Sequence, residues 1–231
     1  MTKNNGKFVA DRDTKPSVAA QTLEDILRRR NAFWLHDGDR TKPHVVLTQG
    51  LCSNAYFNLS KVLSNPHLCQ WLAELLTKEL SLVGITEVDW VVGSAYAAIT
   101  LSYEVAKIFD AEHGFVEKDC ENPRRMVWHR FEIPNGSKVL QIEELISSGH
   151  TLLEVRRAVQ EGNQNEVNFL PIVGTLIHRP TKLPVNYQGL TVIALWEKEF
   201  WVVPPEDCLL CQAGSVRYRP KNHWRELTGK P

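Results

Sequence analysis

The chain has 231 residues, with 27 basic and 27 acidic side chains and a formal net charge of zero. That balance argues against a broad electrostatic footprint for nucleic acid, and no apolar run approaches the roughly 20 residues that cross a bilayer, so neither nucleic acid nor membrane is expected as a partner. Hydrophobic residues make up 43% and charged residues 23%, the mix of an ordinary globular domain.

Residues 1–17 are polar and lack the apolar stretch of a secretory signal, so they read as a disordered arm, and residues 18–231 as a single domain. Val18 to Ala32 reads as a helix with Val18, Leu23, Ile26 and Leu27 on its apolar face. Val45 to Leu47 follows as a short strand, then a turn-rich aromatic stretch, Gly50 to Asn58. Pro66 to Leu82 is a second helix, with Pro66 suited to its first turn and Leu68, Leu72, Leu75 and Leu76 on one side. Strands and helices then alternate: a strand at Val88 to Val92, a helix at Ala97 to Phe109, and a strand at Gly114 to Lys118. A polar, basic and exposed excursion is expected at Pro123 to Arg130. Lys138 to Ile142 is a strand, Leu152 to Gln160 a helix, and Phe169 to Ile177 and Leu190 to Leu195 close the series. This alternation predicts an α/β fold with a mostly parallel sheet flanked by helices. Ligands gather at the carboxyl ends of such strands, which directs attention to the loops after Val92, Lys118 and Ile142.

The most informative stretch is residues 139–151. A buried strand ends in Glu143 and Glu144, and a small hydroxyl-rich turn, Ser147-Ser148-Gly149-His150-Thr151, opens a helix. Unpaired N–H groups and the positive dipole end of a first helical turn suit a phosphate. Ser147, Ser148 and Thr151 add hydroxyl donors, and Gly149 permits close backbone approach. The two carboxylates would repel a phosphate but accept hydrogen bonds from sugar hydroxyls, so the stretch as a whole suits a ribose 5-phosphate. The competing reading is a Ser/Thr helix cap after a strand, with two solvated glutamates.

Residues 139–151 resemble the ribose-phosphate signature of type I phosphoribosyltransferases: four apolar residues, two acids, two variable positions and a Thr/Ser-Thr/Ser-Gly turn. Further segments resemble the orotate phosphoribosyltransferase branch. These are Leu47 to Asn58 (LTSG-x-HS-x-x-YFN), Val91 to Tyr96 (VGPAYGG), Phe115 to Asp119 (FAEKE), Arg130 to Ile133 (RGFEI) and Pro204 to Cys211 (PEECPLC), in that order along the chain.

The resemblance implies a type I phosphoribosyltransferase fold with a small hood from about residues 18–60 and 196–220. It implies transfer of a phosphoribosyl group from phosphoribosyl diphosphate to a pyrimidine base, orotate first, with magnesium arriving on the diphosphate and no resident metal. Ser147, Ser148, Gly149, His150 and Thr151 would hold the 5-phosphate, and Glu143 and Glu144 would contact the ribose hydroxyls. Ala95, Tyr96 and Ala97 would lie beside the diphosphate, and Ala55, Tyr56 and Phe57 would cover the base. Lys118, with Arg124, Arg125 or Arg130 from the excursion, would neutralise the leaving group. A cytoplasmic homodimer is the expected assembly.

The chain departs from the family pattern at Glu144, where Asp is usual, and at Ala97 and Ala98, where paired glycines would permit positive φ. It also departs at Cys52 for His and His150 for Gly, and the excursion is shorter around His129-Arg130. These departures motivate two alternatives on the same fold: a catalytically weak protein that binds phosphoribosyl diphosphate or a nucleotide, and a transferase for another base. Cys208-x-x-Cys211 has the spacing of half a zinc site. With Cys52, Cys69 and Cys120 scattered, two partly buried thiols in a carboxyl-terminal turn are favoured; a zinc centre would need His178, His223 or those cysteines to converge. Arg28-Arg29-Arg30 reads as a solvated helix end, and Trp196, Phe200 and Trp201 as packing residues.

Overall fold

The computed structural model describes residues 17–122 and 125–229. The expected arm therefore lies outside the described residues, except Ser17, whose hydroxyl caps the first helix by accepting from Ala20 N at 3.1 Å. In chain order the elements are α1 (Val18–Arg29), β1 (Phe33–Leu35), β2 (His44–Val46), β3 (Cys52–Ser53), β4 (Ala55–Phe57), α2 (Ser60–Leu63) and α3 (Pro66–Leu82). Then follow β5 (Trp90–Gly93), α4 (Ala98–Phe109), β6 (Glu112–Phe115), β7 (Glu117–Lys118), β8 (Met126–Val127), β9 (Lys138–Ile146) and α5 (His150–Gly162). The chain closes with β10 (Asn168–His178), β11 (Thr191–Glu197), β12 (Val202–Val203), a 3₁₀ turn at Pro205–Asp207, α6 (Leu209–Gln212), β13 (Arg217–Tyr218) and α7 (Trp224–Thr228).

The centre is a five-stranded sheet in the order β11-β10-β9-β5-β6, parallel throughout. One face carries α1, α3 and α4: Leu23, Leu27, Leu72, Leu76, Leu101 and Val105 are fully buried in one cluster with Leu140 and Ile142 of β9. The spacing of Leu72, Leu76 and Leu80 keeps these side chains on one helical stripe. Asn65 starts that helix, its side chain accepting from Leu68 N at 3.0 Å, with Pro66 in the first turn. On the other face, Val155, Ala158 and Val159 of α5 pack with Val92 and Val139.

Two expectations are corrected here. The excursion after β7 is not wholly exposed: Met126 and Trp128 are buried against α5 and β6, and a Cβ on Gly114 or Gly162 would strike Trp128 at 2.4 and 2.2 Å. The indole packs over Gly114 and the Trp128 backbone carbonyl sits against Gly162, a tertiary fit that the local polar sequence does not announce. The acidic pair is also not past the strand end: β9 runs on to Ile146, with Glu143 opposite Thr175 and Ile146 opposite His178 of β10.

The hood is a four-stranded sheet of two- and three-residue strands, β12-β3-β2-β13. It is narrower than expected, because α1 belongs to the main core. β1 and β4 form an antiparallel pair whose Phe33 and Phe57 stack at 4.7 Å and meet Trp196 and Phe200 edge-on. Trp196 and Phe200 are thus core residues, as expected. Among the described residues no helix is long and apolar enough to cross a membrane.

Candidate active site

A cleft of about 750 Å³ separates the hood from the carboxyl ends of β9 and β10. Ser147 and Ser148 form its floor, Leu47, Thr48, Gln49, Tyr56 and Arg219 to Asn222 line the hood side, and Arg179 to Lys182 close the edge. Among the described residues the lining holds four cations, Arg179, Lys182, Arg219 and Lys221, and no carboxylate. Such a lining favours an anionic occupant.

The turn into α5 is built on Gly149, which has φ +78° and is the cap residue of that helix. Ser147, Ser148, His150 and Thr151 are exposed there. The ring of buried Tyr187 lies where a Gly149 side chain would be, 2.3 Å from an added Cβ. Its hydroxyl donates to Ser147 O at 2.6 Å and its oxygen lies 3.0 Å from His178 Nε2, while His178 Nδ1 lies 2.6 Å from Glu197. This chain of contacts fixes the turn at the start of α5, where the first N–H groups of a helix have no intrahelical acceptor.

Glu143 is 1% exposed. Ser94 Oγ, just past β5, donates to its Oε2 at 2.5 Å, and Gln141 Nε2 donates to its Oε1 at 2.8 Å. Arg156 Nε in turn donates to Gln141 Oε1 at 3.0 Å. Burial, then the charge of neighbouring Glu144, pushes the Glu143 carboxyl up to about 8 despite these donors. Half-buried Glu144 is also raised, by burial. Successive strand residues face opposite sides, so Glu143 joins Gln141 on the α5 face and Glu144 joins Ile142 on the other.

The last part of β9 thus bears two carboxylates, and a helix-opening Ser-Ser-Gly turn follows it. The Phosphoribosyl transferase domain family matches residues 58–207. The chain belongs to the phosphoribosyltransferase family. It is 29% identical to the orotate phosphoribosyltransferase of Wolinella succinogenes, over 77% of this chain and 88% of that one. It is 30% identical to the enzyme of the same name from Desulforamulus reducens, over 80% and 90%. Among solved structures it shares the fold of Leishmania donovani UMP synthase (TM-score 0.58, 17% identity, 78% of this chain but 36% of that one). It likewise resembles the orotate phosphoribosyltransferase of Mycobacterium tuberculosis (TM-score 0.53, 19% identity, 78% and 95%).

Seen as a phosphoribosyltransferase, the chain brings some of its expected residues together and leaves others apart. Ala95, Tyr96 and Ala97 form the turn between β5 and α4, with Tyr96 71% exposed and a cis peptide between Ala95 and Tyr96. Ala97 sits at φ −72°, ψ −28°, and Ala98 is the first residue of α4. Neither needs positive φ, so the loss of paired glycines costs the backbone nothing here. Of the three expected base-covering residues only Tyr56 lines the cleft; Ala55 and Phe57 alternate into the main core, 0% and 8% exposed. Lys118 is exposed and pairs opposite Met126 in the β7–β8 ribbon. Arg130 is held by Glu117 at 2.5 Å, and Arg125 contacts Glu161 at 3.4 Å. Glu161 lies eleven residues along α5 from His150, about 16 Å from the Ser147–Gly149 turn along the axis. Arg124 lies outside the described residues.

Arg179 was missed by sequence reasoning. It is 6% exposed, donates from Nη2 to Ser53 Oγ at 3.1 Å, and stacks over Phe57 and Phe200 at 5.5 Å. Its buried Nε has no partner among the described residues, and burial lowers the guanidinium to about 10. The available signal was its place at the carboxyl end of β10, a strand end not included among the ligand-bearing loops. Tyr187 gave no sequence signal, since its contact with Gly149 spans 38 residues of chain.

Proposed function

We propose that the chain transfers a phosphoribosyl group from magnesium-bound phosphoribosyl diphosphate to orotate, yielding a nucleoside monophosphate and diphosphate. The observation that carries the choice of acceptor is Arg179. A cation lining a cleft that has no carboxylate among its described residues matches a base that bears its own carboxylate. The names of the relatives support the same acceptor.

In this reading the first turn of α5 with Ser147, Ser148 and Thr151 binds the 5-phosphate and half-buried Glu144 receives the ribose hydroxyls, whereas Glu143, expected to share that role, is buried with both oxygens held by Ser94 and Gln141 and supports the strand from behind. A base nitrogen forms its bond to the anomeric carbon as the bond to the diphosphate oxygen breaks, and diphosphate leaves with the electron pair and its magnesium. Magnesium comes as part of the substrate, in keeping with its reluctance to shed water for protein ligands. Lys118 neutralises the leaving group, and Arg125 and Arg130 must quit Glu161 and Glu117 to assist. The proposal of a cytoplasmic homodimer rests on the family resemblance.

Calorimetric titration of orotidine 5′-monophosphate against uridine 5′-monophosphate tests the acceptor, because the two differ only in the base carboxylate. A charge-assisted hydrogen bond contributes about 1.5–3 kcal/mol, so the orotidine nucleotide binds roughly 10–100-fold tighter, and Arg179→Met abolishes the difference. Equal affinities in the parent protein would remove orotate as the acceptor.

A further inference from the structure

Outside the cleft, four metal-ligating side chains converge in the hood, correcting the expectation that its cysteines stay scattered. His44 Nε2 and the Sγ atoms of Cys52, Cys208 and Cys211 all lie within 4.8 Å of one another, three of these residues being buried. Cys69 and Cys120 stay outside the group, as do His178 and His223. The hood brings them together in two steps. Val46 pairs opposite Cys52, so His44, two residues earlier on the same strand face, lies beside Cys52. The turn from Pro205 to Gln212 then lays Cys208 and Cys211 on that face.

We propose that these four residues form a structural zinc site. With Zn–S near 2.3 Å and Zn–N near 2.0–2.1 Å, a tetrahedron has S···S edges of about 3.8 Å and S···N edges of about 3.6 Å. The observed separations are 3.5 Å for Cys52 to Cys211, 3.5 Å for Cys208 to His44 and 3.4 Å for Cys211 to His44. A disulfide would need about 2.05 Å between sulfurs, and packed thiols have no reason to gather round an imidazole nitrogen. The histidine is also set for coordination. Ser215 Oγ donates its one proton to Lys42 O at 2.6 Å, so toward His44 Nδ1, 2.8 Å away, it can only accept. The ring proton therefore sits on Nδ1, and the Nε2 lone pair faces the three sulfurs, the orientation an outer-shell partner gives a metal-bound histidine.

Four protein ligands leave no open position, which marks the site as structural. The hood has reason to use one. Its strands are two or three residues long, and its own buried cluster holds only Cys52, Cys208 and Leu210. A core that small does not hold four strands together without a staple. The same strands carry Val46 and Val202 to the cleft wall, so the metal would fix the roof of the substrate cleft.

The test reads metal without turnover and so stands apart from the catalytic proposal. The full chain is purified reduced from zinc-supplemented medium, its zinc is counted, and cobalt(II) is then exchanged in. Expected are one zinc per chain, a tetrahedral thiolate–cobalt spectrum, and a melting temperature that falls on chelation and returns with zinc. Cys208→Ser and Cys211→Ser lose the metal, while Cys69→Ser and Cys120→Ser keep it. Should the first two fail to fold, the count and cobalt spectrum of the parent decide alone. Substoichiometric zinc with no cobalt–thiolate band, a Cys52–Cys211 disulfide in the intact mass, or metal lost from Cys69→Ser or Cys120→Ser would each overturn the site.

Discussion

Replacing Gly149 by alanine tests how the phosphate turn is built. The new Cβ would stand 2.3 Å from Tyr187 Cδ1 and 2.4 Å from Cε1, on a backbone held at φ +78°. Left-handed backbone costs a residue with a side chain about 1–2 kcal/mol, and overpacking a filled interior about 1–3 kcal/mol. Together they predict about 2–5 kcal/mol of destabilisation. The ring is 3% exposed and cannot swing clear without releasing its bonds to Ser147 O and His178, so the affinity for ribose 5-phosphate falls as well. Urea unfolding and calorimetry read the two effects. A double-mutant cycle assigns the cause: on a Tyr187→Ala background the clash is gone, and Gly149→Ala should cost only the backbone share, about 1–2 kcal/mol. A Gly149→Ala protein within about 0.5 kcal/mol of its parent, with unchanged ligand affinity, would refute the reasoning.

Other consequences are as specific. Glu143, ordinarily near 4.5, is raised to about 8 in the folded chain, so between those values the native state holds a proton that the unfolded state has released. The stabilisation from this group is therefore complete below about pH 4.5 and is lost toward pH 8 by up to about 1.4 kcal/mol per pH unit. Glu143→Gln, which can still accept from Gln141 and donate to Ser94, should flatten the decline; parallel unfolding curves for the two proteins would contradict it. Trp128→Ala removes the buried ring that packs over Gly114 and should cost about 3–5 kcal/mol, measured by chemical denaturation; a negligible loss would restore the exposed excursion that the local sequence predicts.

The main sheet and its helices were legible because their signals are local. Pro66 to Leu82 carries its first-turn proline and a leucine stripe, and α3 runs between those same residues. The turn from β9 into α5 was legible for the same reason, since a strand, two acids and a Ser-Ser-Gly turn are adjacent in the chain. What depends on distant residues was not. Strand alternation sends Ala55 and Phe57 inward and Tyr56 to the cleft, but no short aromatic run declares which phase it takes. Trp128 follows a run of charged residues and reads as surface until Gly114 and Gly162 make room for it. Arg179 sits one residue past an apolar strand, and only the fold shows that a cleft opens there. Cys52, Cys208, Cys211 and His44 are separated by up to 167 residues, and their meeting depends on two- and three-residue strands too short to show a period.

Turnover is the most direct measure of the central claim. Diphosphate release from phosphoribosyl diphosphate is followed with magnesium across a panel of bases that includes orotate and uracil. The account predicts release that requires orotate, does not occur with uracil, and disappears in Lys118→Ala. A folded chain that releases no diphosphate with any base, or releases it equally in Lys118→Ala, would contradict it.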